Sequence, residues 1–371
     1  MTVLRQRSQA IDVMRGLTLA LMIVVNTSII ETTSYAPLVH AVWNGLTLTD
    51  VVFPTFMFVV GAALSFTLEG YQRGGDATVL RKIATRTALV FLCGYLVNWC
   101  PFFSVDAAGH WAFVPIGQTR ILGVLQRIAL GYGCAALIVH YGGRAGALVY
   151  SVVALLGYWW LMHAFGDYSL SGNAALKLDK FVLGAAHMYH GEGIDFDPEG
   201  ILSTFPAIVN VLGGYLAGRF VRERGPNYEA IAKLMIAGAV CIAIGVVWGS
   251  VFPINKKLWT SSYVLCTMGI DLAVLALLVY VIDLCGQRGW TYFFEVFGRN
   301  PLFIYLFTEV GNSIVGVLHV GQENVFDWAN GTGFQSWADD KRVSLLCAIA
   351  CMLACWLVAY AMDRKRIYVK L

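Results

Sequence analysis

The sequence predicts an all-α fold, a polytopic transmembrane bundle of about ten helices, and three observations carry that expectation. The first is composition: 58% of the 371 residues are hydrophobic and 13% are charged, against about a quarter charged in an ordinary soluble domain. The second is that apolar runs of about 20 residues recur along the chain, the length a helix needs to cross a hydrocarbon core of about 30 Å. The third is an uneven placement of Lys and Arg among the connections, which sets the side facing the cytoplasm. Mean hydropathy is +0.66. The net charge of +3 matters less than where the charges lie, and no nucleic-acid partner is expected.

Taken in order, spans fit at about 10–30, 48–68, 83–103, 120–140, 144–164, 200–221, 229–250, 260–283, 297–319 and 342–362. Arg5 and Arg7 before the first run resemble the start of a secretory signal. Asp12 and Arg15 interrupt the run and no small-residue cleavage pattern follows, so it is read as the first span. Asp12 and Arg15 themselves, three residues apart, are read as a structural ion pair. Pro101 closes the third span, Gly142-Gly143 separates the fourth from the fifth, and Gly225-Pro226 separates the sixth from the seventh. The nine cysteines sit mostly inside apolar runs, and Cys347, Cys351 and Cys355 follow helical spacing, which suits helix packing better than disulfides or a metal site.

One side of the bundle collects Arg5, Arg7, Arg73, Arg81, Lys82, Arg144, Arg219, Arg222, Arg224, Arg288, Arg299, Arg364, Lys365, Arg366 and Lys370; the other has Lys177, Lys180, Lys256, Lys257, Lys341 and Arg342. The excess marks the cytoplasm, so both termini are expected inside. A single transmembrane domain over 1–371 follows, with long outer connections at 104–119, 165–199 and 320–341. Connections of that length usually have a function of their own.

The outer connection between the first two spans, within Asn26–Phe58, gathers polar groups able to do chemistry. His40 is a candidate because an imidazole side chain can take a proton or act as a nucleophile. Trp43 offers a stacking wall for a sugar, and Asn26 and Asn44 can donate to an oxyanion. Asp50 opens the second span, where it can cap the helix or orient His40, and capping is the commoner role. In R-I-L-G-V-L-Q-R, Arg120 and Arg127 stand two turns apart around Gln126, with phosphate or a carboxylate such as Asp271 or Glu309 as alternative partners. The turn N-K-K-L-W-T-S-S (Asn255 to Ser262, with Lys256 and Trp259) is either an anion site or an interfacial anchor. H-M-Y-H-G-E from His187 has no established zinc spacing, and no metal is expected. Asn330 begins an N-G-T sequon.

The blocks Ile11–Asn26, His40–Pro54, Arg120–Ala129, Asp197–Thr204, Asn255–Val264 and Gly298–Leu302, in that order, resemble the transmembrane family that includes heparan-α-glucosaminide N-acetyltransferase and shorter bacterial relatives. The resemblance implies acetyl transfer from acetyl-CoA to the amino group of a glucosamine-type sugar at the outer face of a bacterial inner membrane. It places the family's active-site histidine on His40, as general base or acyl carrier, and its supporting asparagine on Asn26. Trp43, Asn44 and Asp50 would then attend the acceptor. Arg120, Gln126, Arg127, Asn255, Lys256, Trp259 and Ser262 would hold the CoA or line its path. The implied partners are acetyl-CoA, an amino sugar or glycan, membrane lipid and a second copy in a homodimer. Transport of an N-acetylglucosamine-type sugar without chemistry stays open as the alternative.

Overall fold

A computed structural model of the chain describes residues 8–27, 34–72, 74–105, 111–317, 319–320, 323–324 and 340–369. The architecture is helical: α1 (Gln9–Thr27), α2 (Leu48–Gln72), α3 (Asp76–Trp99), α4 (Val124–Phe165), α5 (Ala174–Val182), α6 (Ile201–Arg224), α7 (Tyr228–Trp248), α8 (Ser261–Leu278), α9 (Thr291–Arg299), α10 (Pro301–Val317) and α11 (Asp340–Arg364). Among the described residues, strands are confined to two small antiparallel ladders, Phe103–Val105 with Trp111–Phe113 and His319–Val320 with Glu323–Asn324. Among the described residues, seven helices are long and apolar enough to cross a membrane. This is an all-α membrane protein.

The expected separation of the fourth and fifth spans at Gly142-Gly143 is observed: α4 breaks at Gly143, whose φ of 56° suits glycine. Beyond the bend the chain doubles back: Gly146 lies against Ile138, and both halves reach the same turn. Arg127 lies over Trp259, while Tyr158 donates to the Leu258 carbonyl at 2.5 Å. The third helix starts earlier than expected, and Asp76, Arg81, Lys82 and Arg86 in its first half keep it below the apolarity of the other spans. The ninth expected span splits at Asn300, whose side chain accepts from Val369 N at 2.9 Å and donates to the Ile367 carbonyl. The connection 165–199 carries α5 and its own small apolar core, in which Phe196, Met188 and Leu176 meet Phe252 and Leu258. Residues 325–339, including the Asn330 sequon, lie outside the described residues.

The two ends of the described chain share a neighbour. Gln9 donates to Thr291 Oγ1 and Glu295 Oε1, and Arg299 pairs with Asp363 at 2.7 Å. Asn26 lies seventeen residues further along α1, about 26 Å away at 1.5 Å per residue. The polar cluster described below therefore sits at the opposite end of α1 from Asp363. Asp12 and Arg15 pair at 3.2 Å, and Arg15 also donates to the Gly298 carbonyl.

Helix contacts are set by small residues, since lipid offers no hydrophobic drive between helices. Across α2 and α6, a Cβ on Gly61 would fall 1.8 Å from the Val211 oxygen, and one on Gly214 would fall 1.8 Å from the Phe58 oxygen. The two backbones touch. Gly214→Ala is expected to force the pair apart and cost about 3 kcal/mol, read as a lower unfolding temperature of the detergent-solubilised protein, while Gly157→Ala, at a position with open space, should leave it unchanged.

Candidate active site

The start of α2 is built by Asp50. Thr47 precedes the helix and Asp50 is its third residue: the Thr47 backbone N–H donates to Asp50 Oδ2 at 3.0 Å and the Asp50 N–H reaches Thr47 Oγ1 at 3.4 Å. This reciprocal arrangement is a capping box, and T-L-T-D is its sequence signature. The same Oδ2 accepts from Ala41 N–H at 3.1 Å and the Thr47 hydroxyl at 3.0 Å. The other oxygen, Oδ1, accepts from His40 Nδ1 at 2.7 Å. A carboxylate only accepts, so Nδ1 carries the proton and Nε2 is the basic nitrogen. Asp50 is thus both cap and orienting group, the two roles that the sequence posed as alternatives.

Pro54, four residues on, has no N–H, so the Asp50 carbonyl loses its helical donor. Tyr263 of α8 supplies one instead, its hydroxyl donating to that oxygen at 2.7 Å. This bond ties the block around His40 to the block around Lys256.

The Asn255–Ser262 turn holds itself together. Asn255 Oδ1 accepts from Leu258 N–H at 2.8 Å, Thr260 Oγ1 accepts from Asn255 N–H at 3.1 Å, and Ser262 Oγ donates to the Phe252 carbonyl at 2.6 Å. Trp259 turns through a φ of 53° into the core, where its indole donates to Asn210 Oδ1 at 3.1 Å. Lys256 is what this turn presents. Its Nζ stands 3.0 Å from Nε2 and 3.1 Å from Nδ1 of His40. Burial holds its ammonium below the ordinary value of 10.5, against the pull of Asp50 and Glu199.

These groups open into a cavity of about 300 Å³. Its polar wall is His40, Asp50, Lys256, Asn26, Glu309 and the cluster around Arg120; its apolar wall includes Met22, Val25, Phe53, Phe56 and Ile128. Arg120 precedes α4 rather than lying on it, so it and Arg127 do not share a helix face. It meets Asp197 through Nε at 2.9 Å and Nη2 at 2.6 Å, and Nη2 also reaches Glu199. Its guanidinium lies 4.8 Å from the centre of the Tyr189 ring. Burial raises Asp197, whereas at Glu199 the cations Arg120, Arg127 and Lys256 outweigh burial and hold the carboxyl down. Lys257 pairs with Glu192 at 2.5 Å.

Of the sequence candidates, the structure brings Asn26, His40, Asp50, Arg120 and Lys256 to this one cavity. Asn26 is engaged there, its amide donating to Glu309 Oε1 at 3.2 Å. The rest stand behind the wall. Trp43 donates to the Tyr168 carbonyl at 2.9 Å and packs near Phe196, and Asn44 accepts from Asn255 Nδ2 at 3.2 Å. Arg127 is fully buried, donating to the Gly200 carbonyl and to Ser203 Oγ with its guanidinium 4.7 Å from the Trp259 ring centre. Gln126 is also fully buried, with no hydrogen-bond partner for its amide among the described residues. Tyr189, Glu192, Glu199, Tyr305 and Glu309 were not selected as site residues. The length and acidity of the 165–199 connection pointed toward the first three. His187 and His190 go to the Thr119 carbonyl and to Asp195, so the H-M-Y-H-G-E ligands turn to separate partners.

Fold and cavity together define a class: a helical membrane protein with a polar cavity at one end, in whose wall a carboxylate orients a histidine. A family model described as heparan-alpha-glucosaminide N-acetyltransferase, catalytic, matches residues 7–248. The chain belongs to that family. Heparan-alpha-glucosaminide N-acetyltransferase of Homo sapiens is 28% identical over 371 aligned residues, covering 84% of this chain and 54% of the human protein. The Mus musculus protein of the same name is 26% identical over 426 aligned positions, 98% of this chain and 60% of the mouse protein. The chain thus spans between 54% and 60% of the length of these relatives. His40, Asp50, Arg120 and Glu199 fall inside the family match; Lys256 and Glu309 lie beyond it.

Because the Lys256 pKa is depressed on folding, the unfolded chain binds more protons between the folded value and 10.5. Stability therefore rises with pH across that window. Lys256→Met should unfold at a higher temperature than the parent near pH 7, and the gap should close as the pH approaches 10.5, as scanning fluorimetry in detergent would read it.

Proposed function

We propose that this chain is an integral membrane acetyltransferase that moves an acetyl group from acetyl-CoA to the amino group of a glucosamine-type sugar. The observation that carries this reading is the His40–Asp50 pair in the wall of a cavity, in a chain of this family. An amine attacks a thioester only as the free base and must lose a proton as the C–N bond forms. His40, with Nδ1 held by Asp50 at 2.7 Å, presents Nε2 to accept it. General-base catalysis of this kind is worth about 10²–10⁴-fold.

The residues suit the thioester end of acetyl-CoA and the reacting end of an amino sugar. A cavity of about 300 Å³ stands at the small end of ligand sites. Its apolar side, from Val25 through Phe56, accommodates an acetyl group and the thioester arm, while Glu309 and Glu192 supply acceptors for an ammonium or sugar hydroxyls. Asn26 is the donor placed to meet a developing oxyanion once it leaves Glu309. The Lys and Arg excess supports cytoplasmic termini, and with them an outer position for the cavity, in a single domain over 1–371 of a bacterial inner membrane.

The test is release of free CoA by the purified protein with acetyl-CoA and a panel of amino sugars; no turnover with any of them sinks the reading. His40→Ala is expected to lower kcat by about 10²–10⁴-fold with little change in unfolding temperature, because the ring is 45% exposed. Asp50→Asn removes the carboxylate that fixes the tautomer and part of the α2 cap. It should cost activity on a similar scale and also about 1 kcal/mol of stability. Acetyl-His40 trapped without sugar would convert the mechanism from direct transfer to an acyl-enzyme route.

A further inference from the structure

We propose that Lys256 is the general acid of this site, protonating the departing thiol sulfur and recovering its proton from His40. The inference rests on the acetyltransferase reading above and adds a second proton-transfer residue to it. It starts from an inventory of the cations in the cavity wall. Arg120 is neutralised twice over, by Asp197 and Glu199. Lys257 is neutralised by Glu192. Lys256 pairs with no carboxylate among the described residues; its Nζ contacts only the two ring nitrogens of His40, at 3.0 and 3.1 Å. Lys177, by contrast, donates to the Phe165 carbonyl at 2.8 Å.

The groups facing Lys256 come from several elements: Asp50 at the start of α2, His40 before it, Glu192 and Glu199 from the connection ahead of α6, and Lys257 beside it. Burial among them makes its proton easier to release than that of an exposed lysine. The His40 Nε2 has one lone pair, so an incoming amine must break the Lys256 contact before it can hand over its proton. Lysine's flexible four-carbon stem leaves Nζ free to turn toward the thioester.

The step balances. The amine nitrogen bonds to the acetyl carbon and the carbon–sulfur bond breaks. His40 Nε2 takes the proton lost by the nitrogen, and Lys256 gives one of its own to the sulfur. His40 then returns its proton to the neutral amine of Lys256 when the two regain contact. Amine and thioester have become amide and thiol, and both side chains are restored.

The experiment compares the unaltered chain with Lys256→Met and Lys256→Arg, using acetyl-CoA and S-phenyl thioacetate, whose thiolate departs without needing a proton. For Lys256→Met, kcat with acetyl-CoA should fall about 10²–10³-fold with KM within about threefold, and the alkaline decline of kcat should disappear. S-phenyl thioacetate should restore most of the lost rate in Lys256→Met and none in His40→Ala. Lys256→Arg keeps the charge but cannot give up a proton, so it should stay as impaired as the methionine variant; its unfolding temperature separates this from misfolding. A raised KM at unchanged kcat, or full activity in Lys256→Arg, would overturn the proposal in favour of a binding cation. Equal loss with both donors would overturn it in favour of a structural role. Absence of turnover by the unaltered chain is a separate result, and it removes the acetyltransferase reading itself.

Discussion

The carboxylate of Asp50 is the constraint on which the site depends, because one buried group satisfies demands from three directions. It closes the first turn of α2 through Thr47, it pins the Ala41 backbone, and it holds His40 in a single tautomer. The carboxylate itself is 1% exposed, and a buried acceptor left without its donors costs roughly 1–3 kcal/mol. The loop ahead of α2 therefore has its register set by the helix it enters. Pro54 adds to this from below. By withholding its N–H from the Asp50 carbonyl it creates the vacancy that Tyr263 fills, and so α8 and the Lys256 turn are positioned against the same residue.

Charge in the cavity is arranged so that opposite signs largely cancel, while Lys256 faces His40 rather than a carboxylate. Arg120 sits between two carboxyls from the D-P-E-G segment, and their responses differ: burial dominates at Asp197, surrounding cations dominate at Glu199. Arg127 is turned the other way, beneath Trp259 and into the N-terminus of α6. The two arginines of R-I-L-G-V-L-Q-R thus divide into one that walls the cavity and one that ties α4 to α6 and to the Trp259 turn behind it. Removing either would leave buried groups unpaired, the costly way to break such a network.

The connection 165–199 is more than a cover. With α5 and a small apolar core of its own it fixes Tyr189, Glu192 and Glu199 over the cavity, and Trp43 belongs to that core by its bond to Tyr168. This explains why a tryptophan three residues from His40 does not share its cavity. The stacking wall read from H-A-V-W-N-G is a structural anchor that holds this connection to the one ahead of α2.

Composition and hydropathy by themselves determined the helical membrane architecture, because the bilayer's length and polarity requirements act on each segment locally. The turn glycines, the capping signature T-L-T-D and the proline at position 54 were equally local and equally readable. Which polar residues meet was not. Asn26 with Glu309, Arg120 with Asp197 and His40 with Lys256 are contacts between positions 77 to 283 residues apart, and no periodicity encodes a pairing across that distance. The same holds for α4, whose bend at Gly143 was visible, though that its two halves fold back onto one turn around Trp259 was not. Lys256 shows the division most plainly. The sequence offered Lys256 as a cofactor contact and left Lys257 aside, and only packing gave Lys257 a carboxylate and Lys256 a histidine.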